Sequence, residues 1–149
     1  MRKLYAAFII ALLTGFAMCY QPEPVMDYEV NITIYTHSRI LLWTYGVSPS
    51  QITVTRHPTG NGPGEIMIKR GLTDSEKNRI GRFLAGFPLE SLEERYADDI
   101  VTGNMHYEFD IRVHNLSKHI YVYYKSQKDL AELSAEIDLL LPKYRIGYK

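Results

Sequence analysis

Between residues 107 and 125, apolar and polar side chains alternate on both sides of a short break, Asn115-Leu116-Ser117-Lys118. No other stretch constrains the fold as much. Period-two alternation describes strands with one dry and one wet face, so this stretch reads as an antiparallel hairpin in a half-buried sheet. Pairing 107–114 with 119–125 sets Val113 against Ile120, Ile111 against Val122 and Phe109 against Tyr124 on the inner face. The outer face then holds His114 opposite His119, Arg112 opposite Tyr121, Asp110 opposite Tyr123 and Glu108 opposite Lys125, the last an opposite-charge pair.

The rest of the chain supplies partners for that hairpin. Tyr28, Val30, Ile32 and Ile34 alternate with polar residues and predict a strand over 28–35, and an apolar run over 40–45 predicts a second, closed by Gly46 and Ser48-Pro49-Ser50. Segments 51–56 and 64–70 flank a Pro/Gly-rich loop and predict another hairpin, with Val54 facing Ile66 and Ile52 facing Ile68. Thr73-Asp74-Ser75-Glu76 has the form of a capping box, and Ile80, Phe83, Leu84 and Phe87 follow at helical spacing until Gly86 and Pro88 end the helix. Residues 91–96 predict a short helical turn before a loop over 97–105. A last helix is predicted over 127–141, started by Ser126, with Leu130, Leu133, Ile137 and Leu140 on one face and Pro142 as its stop. Residues 143–149 read as a polar and aromatic tail. The expected fold class is α+β: an antiparallel sheet of hairpins with two helices packed on one face, the other face left open.

The N-terminus has a different character. Arg2 and Lys3 precede an uncharged apolar run, and small residues lead to Ala17-Met18-Cys19, the layout of a secretory signal peptide. We expect a signal peptide over 1–19, a polar spacer over 20–26 and a single α+β domain over 27–149. The strongly apolar stretch is nearer ten residues than the ~20 of a spanning helix, though Phe16 to Met18 extend it, so an uncleaved anchor stays open as an alternative. Cleavage after Ala17 or after Cys19 fits the small residues present. Lipidation of Cys19 is the third alternative, favoured by its position and opposed by Met18, since a lipobox places a small residue there.

Cys19 is the only cysteine, so the domain itself has no disulfide and depends on its core; roughly 130 residues suffice for one. Lys and Arg total 17 against 17 Asp and Glu, and loss of Arg2 and Lys3 leaves a net charge of −2. Nothing in that balance favours nucleic acid, and membrane contact is expected only through lipid on Cys19 or an uncleaved N-terminal segment. The triplets Asn31-Ile32-Thr33 and Asn115-Leu116-Ser117 are glycosylation acceptors only in a eukaryotic secretory pathway.

No cofactor is implied. His114 and His119, placed opposite each other, lack the further ligands a metal needs, and His37, His57 and His106 have no metal-type spacing. Glu93, Glu94, Asp98 and Asp99 form an acidic cluster without the calcium-loop pattern, and the glycine-rich loop at 59–64 leads into a strand, unlike a phosphate cradle. No hydrolase motif is present, and an enzyme is not expected. The 12 tyrosines are the more informative excess. Tyr121 and Tyr123 fall on the outer hairpin face beside Arg112, His114, His119 and Lys125, a mixture typical of protein-binding surfaces.

The hairpin–helix–hairpin–helix order from Gln51 to Pro142, with Leu72-Thr73 starting a helix directly after a hairpin, resembles small exported bacterial domains, among them the emfourin-type metalloprotease inhibitors. That resemblance implies a binder or inhibitor and carries no residue role. The expectation is an exported, non-enzymatic domain whose partner is another exported or envelope protein. The alternative is an envelope lipoprotein with an accessory or structural role.

Overall fold

A computed structural model describes residues 22–58, 62–97, 105–123 and 125–149. The basic start, the apolar run, the cleavage region and Cys19 lie outside the described residues, as do Asp98, Asp99 and Tyr124. Among the described residues, no helix is long and apolar enough to cross a membrane.

Among the described residues the strands are β1 (Tyr28–Tyr35), β2 (Leu41–Val47), β3 (Gln51–Arg56), β4 (Glu65–Gly71), β5 (Arg95–Ala97), β6 (His106–Val113) and β7 (Leu116–Tyr123), and the helices are α1 (Asp74–Ala85) and α2 (Lys128–Asp138). They build a seven-stranded sheet in the order β4-β3-β2-β1-β6-β7-β5. The α+β class stands, but the sheet is mixed: β5 runs parallel to β7, whereas every other neighbouring pair is antiparallel. The helical turn expected over 91–96 is instead a 3-10 turn at Leu89–Ser91 followed by β5.

One face of the sheet carries the core. Val30, Ile32, Phe109, Ile111, Ile120 and Val122 project from the central strands and are sealed by Ile80 and Leu84 of α1 and by Leu130, Leu133 and Ile137 of α2. Phe83 and Phe87 of the expected α1 stripe are only partly buried. Thr73 caps α1 as a full capping box, while α2 takes Gln127 rather than Ser126 as its cap, with Gln127 Oε1 accepting from the Leu130 N–H at 2.7 Å. Arg79 Nε and Glu136 Oε2, 2.7 Å apart, join the two helices on their solvent side.

Two segments read as peripheral belong to the core. Val25, in the expected spacer, is partly buried and donates its N–H to the Gly81 carbonyl at 3.1 Å. A Cβ on Gly81 would stand 2.3 Å from the Val25 carbonyl oxygen, so glycine is what permits this approach. At the other end, Asp138 accepts from the N–H groups of Ile146 and Gly147, the chain turns back, and Ile146 and Tyr148 are buried.

The Tyr28 hydroxyl is buried with no hydrogen-bond partner among the described residues, and burial pushes its pKa up to about 12. An unpaired buried hydroxyl carries a desolvation penalty of about 1–3 kcal/mol. Tyr28→Phe is therefore expected to raise the unfolding free energy by about 1 kcal/mol in urea denaturation. A loss of stability would mean that a water bonds that hydroxyl.

Candidate functional site

The hairpin register differs from the expected one, and the difference rebuilds the outer face. The turn is made by His114 and Asn115, so Val113 pairs with Leu116, Ile111 with Lys118 and Phe109 with Ile120. Arg112 lies opposite Ser117, Asp110 opposite His119, Glu108 opposite Tyr121 and His106 opposite Tyr123. The cause is the turn: His114 adopts φ 53, the left-handed conformation that tight primed hairpin turns require.

The expected site residues separate accordingly. His114 is in the turn and does not face His119. His119 Nδ1 instead lies 2.7 Å from Asp110 Oδ1. Arg112 is not beside Tyr121; its guanidinium sits 2.7 Å from Asp27 and 3.9 Å from Glu29. The Glu108–Lys125 pairing is likewise replaced, with Glu108 Oε2 accepting from the Tyr35 hydroxyl at 3.1 Å. Tyr121 and Tyr123 stay on the outer face, their rings 6.4 Å apart.

Around those two tyrosines the fold gathers residues from distant positions. His106 Nδ1 is 2.8 Å from the Tyr121 hydroxyl, and His37 Nδ1 is 2.9 Å from the Tyr123 hydroxyl. The His106 ring lies 3.9 Å from that of Tyr123, and the His37 ring stacks on Tyr123 at 6.2 Å with planes inclined by 20°. Two guanidinium groups approach the Tyr121 ring, Arg39 at 5.8 Å and Arg95 at 5.9 Å, within range of a cation–π attraction.

Arg39 is delivered by a tight β1–β2 loop. Thr36 N–H donates to the Ile40 carbonyl at 2.9 Å, Arg39 N–H to the Thr36 carbonyl at 2.9 Å, and Ile40 N–H to Thr36 Oγ1 at 3.0 Å. Arg39 itself has φ 58, a conformation that costs a residue with a Cβ about 1–2 kcal/mol. His106 is the buried centre of the group, 5% exposed. Burial first, then the nearby Arg39 and His37 charges, hold its pKa below the usual imidazole value, so its ring is neutral at pH 7. Its Nε2 is buried without a hydrogen-bond partner among the described residues.

The arrangement offers aromatic area, cations and a neutral imidazole on a sheet face that, among the described residues, no helix covers. Among the described residues, no group of three or more His, Cys, Asp or Glu could hold a metal ion. Sequence reasoning missed His106, His37, Arg39 and Arg95. For His106 the signal was available, because it extends the polar alternation of Glu108 and Asp110 by one more position. For His37, Arg39 and Arg95 it was not, since only the sheet order β1-β6-β7-β5 brings their segments together. The chain matches no protein-family model and no curated protein sequence.

Proposed function

We propose that this chain is an exported, non-enzymatic domain that binds another exported or envelope protein through the open sheet face around Tyr121 and Tyr123. Inhibition of a secreted or envelope enzyme is one form that binding takes. The observation that carries the reading is the cluster itself: Tyr121, Tyr123, His106, His37, Arg39 and Arg95 meet on the face opposite the helices. Tyrosine and arginine provide large contact area for little lost rotamer freedom, which suits a binding surface. The signal-peptide layout of the N-terminus and the resemblance in element order to exported inhibitors point the same way. A second reading, an envelope-anchored lipoprotein, rests on the position of Cys19.

The test is affinity capture by the full chain from envelope extract and culture medium, beside a Tyr121→Ala/Tyr123→Ala variant whose fold is checked by circular dichroism. Loss of a captured protein on changing the two tyrosines is the expected result, with at least a tenfold weaker complex. Equal capture by both chains would move the interface off this face. If neither captures a protein, anchoring through Cys19 becomes the better reading.

A further inference from the structure

The segment that leads into β1 is clamped on two sides. The Val25 N–H is bonded to the Gly81 carbonyl of α1, and the Asp27 carbonyl accepts from the His114 N–H of the β6–β7 turn at 2.9 Å. Beside this entry, between the end of α1 and that turn, lies a cleft of about 680 Å³ lined by Val25, Leu84, Phe87, Leu89, Val113 and Leu116. Lys118 holds one wall in place by donating to the carbonyls of Glu90 and Leu92. Leu116 is 36% exposed there, and Met26, which follows Val25, is 50% exposed. Apolar side chains exposed singly are ordinary, but these gather at one end of the sheet.

The residues before the entry say what that end meets. From Leu4 to Pro22 the sequence carries no charge, and Cys19 stands six residues before Val25. Six residues span at most about 22 Å, so a bilayer held through Cys19 or the apolar run lies within that distance of Val25. The strands set the direction. Tyr28 pairs with Val113 beside the cleft, whereas Tyr35 pairs with His106 in the aromatic cluster, about 23 Å further along β1. An anchor at the first end points the cluster away from the lipid.

We infer that the end of the domain bearing Val25 and Leu116 lies on a lipid bilayer, with Met26, Phe87 and Leu116 entering the headgroup region. The contact is apolar. Asp27 is paired with Arg112 at 2.7 Å, and the Lys118 ammonium is held by carbonyls, so neither charge is spent on a headgroup. The Glu90 carboxylate, exposed at the cleft, stays among the headgroups. This rests on the anchored reading of the N-terminus and names the face that meets the lipid. It leaves the face around Tyr121 and Tyr123 open to a protein partner.

The experiment reconstitutes the full chain in phosphatidylcholine vesicles whose acyl chains are brominated near the headgroup, and reads tryptophan quenching. Leu116→Trp and Met26→Trp each place a probe at the lipid end, and Ile40→Trp, at a site 49% exposed in the β1–β2 loop, places one at the other. The native Trp43, paired with Ile34 near that far end, is the internal control. Circular dichroism checks each fold. Emission added at residues 116 and 26 should fall by about half or more, since an interfacial contact buries side chains by ~5–10 Å. Ile40→Trp and Trp43 should keep their emission, and high salt should change nothing. Quenching of Ile40→Trp as strong as that of Leu116→Trp, or no quenching at residues 116 and 26, would overturn the inference. Quenching abolished by high salt would also overturn it, by marking an electrostatic contact. A blue-shifted but unquenched Leu116→Trp would overturn it by showing the cleft filled by a second copy or by the chain's own N-terminal segment, which cross-linking tells apart. Flotation separates the two levels. A chain that does not float with the vesicles removes the anchored reading as well, whereas one that floats with both lipid-end probes unquenched loses only the orientation.

Discussion

Tyr148→Ala is expected to lower the unfolding free energy by about 3–5 kcal/mol, an effect no ordinary tail residue would show. Tyr148 is buried, 8% exposed. Its ring meets Phe109 edge-on at 5.4 Å and Tyr107 at 4.9 Å, on the strand that pairs with β1 at the sheet centre. Its hydroxyl accepts from the Gln127 N–H at 2.8 Å and donates to the Lys125 carbonyl at 3.2 Å. The residue thus closes the core and also fixes the start of α2, whose cap is Gln127. Truncation removes a large apolar area, leaves a cavity against Phe109 and strips the Gln127 N–H of its acceptor. Tyr148→Phe keeps the ring and loses only the hydroxyl, so it should cost about 0.5–1.5 kcal/mol. Urea denaturation of both variants checks the pair. A loss below about 1 kcal/mol for Tyr148→Ala would show that the tail contributes nothing to the core.

That the tail is part of the core was hidden from the sequence by its charges. Ile146 and Tyr148 do alternate, but Lys143, Arg145 and Lys149 surround them in a segment too short for periodicity to register. The second hairpin teaches a different lesson. Its inner and outer faces were legible because alternation is local, and Ile111, Val122 and Phe109 are inside as expected. Its register was not. Ile120 pairs with Phe109 rather than Val113, and sliding the strands by an even number of residues leaves every side chain on its own face. Hydrophobicity cannot choose between such registers; the turn can, and His114-Asn115 lacks the glycine that marks a two-residue turn.

In the first hairpin an extra residue at Met67 breaks the ladder. Val54 pairs with Ile68 and Ile52 with Arg70, not with Ile66 and Ile68 as expected, and beyond the bulge Ile66 faces Thr55 and is exposed. The candidate site suffered most from these slips. Its tyrosines were placed on the correct face, but their neighbours come from the register and from β5, a parallel strand of three residues that no pattern announces.

The ion pair between Arg70 and Glu76 should make stability depend on pH in one direction, with Glu76→Gln costing about 1–2 kcal/mol at pH 7. Arg70 Nη2 lies 2.7 Å from Glu76 Oε1, Arg70 Nη1 lies 2.9 Å from Oε2, and the Thr73 N–H donates to Oε2 at 2.8 Å. Arg70 first, and Thr73 after it, hold the carboxyl at about 2 against burial, which pushes the other way. A carboxyl whose pKa is lower folded than unfolded contributes stability that is full above the unfolded value of 4.5 and is lost as pH falls through the folded value of about 2. Taken whole, that displacement corresponds to about 3 kcal/mol. Arg70 is 39% exposed, so water screens the pair and the smaller figure is the one to expect. The same guanidinium also donates to the Leu140 carbonyl beyond α2 at 3.3 Å, so the pair binds β4, α1 and the chain after α2 into one corner of the core. Denaturation of parent and Glu76→Gln at pH 7, 4 and 2 should show their difference narrowing as pH falls, because acid protonates the parent's Glu76 and leaves glutamine unchanged. A difference that stays constant across that range would assign the loss to altered packing and not to the charge. An Arg70→Ala/Glu76→Gln cycle then isolates the pair, and its coupling should shrink with pH in step with that difference.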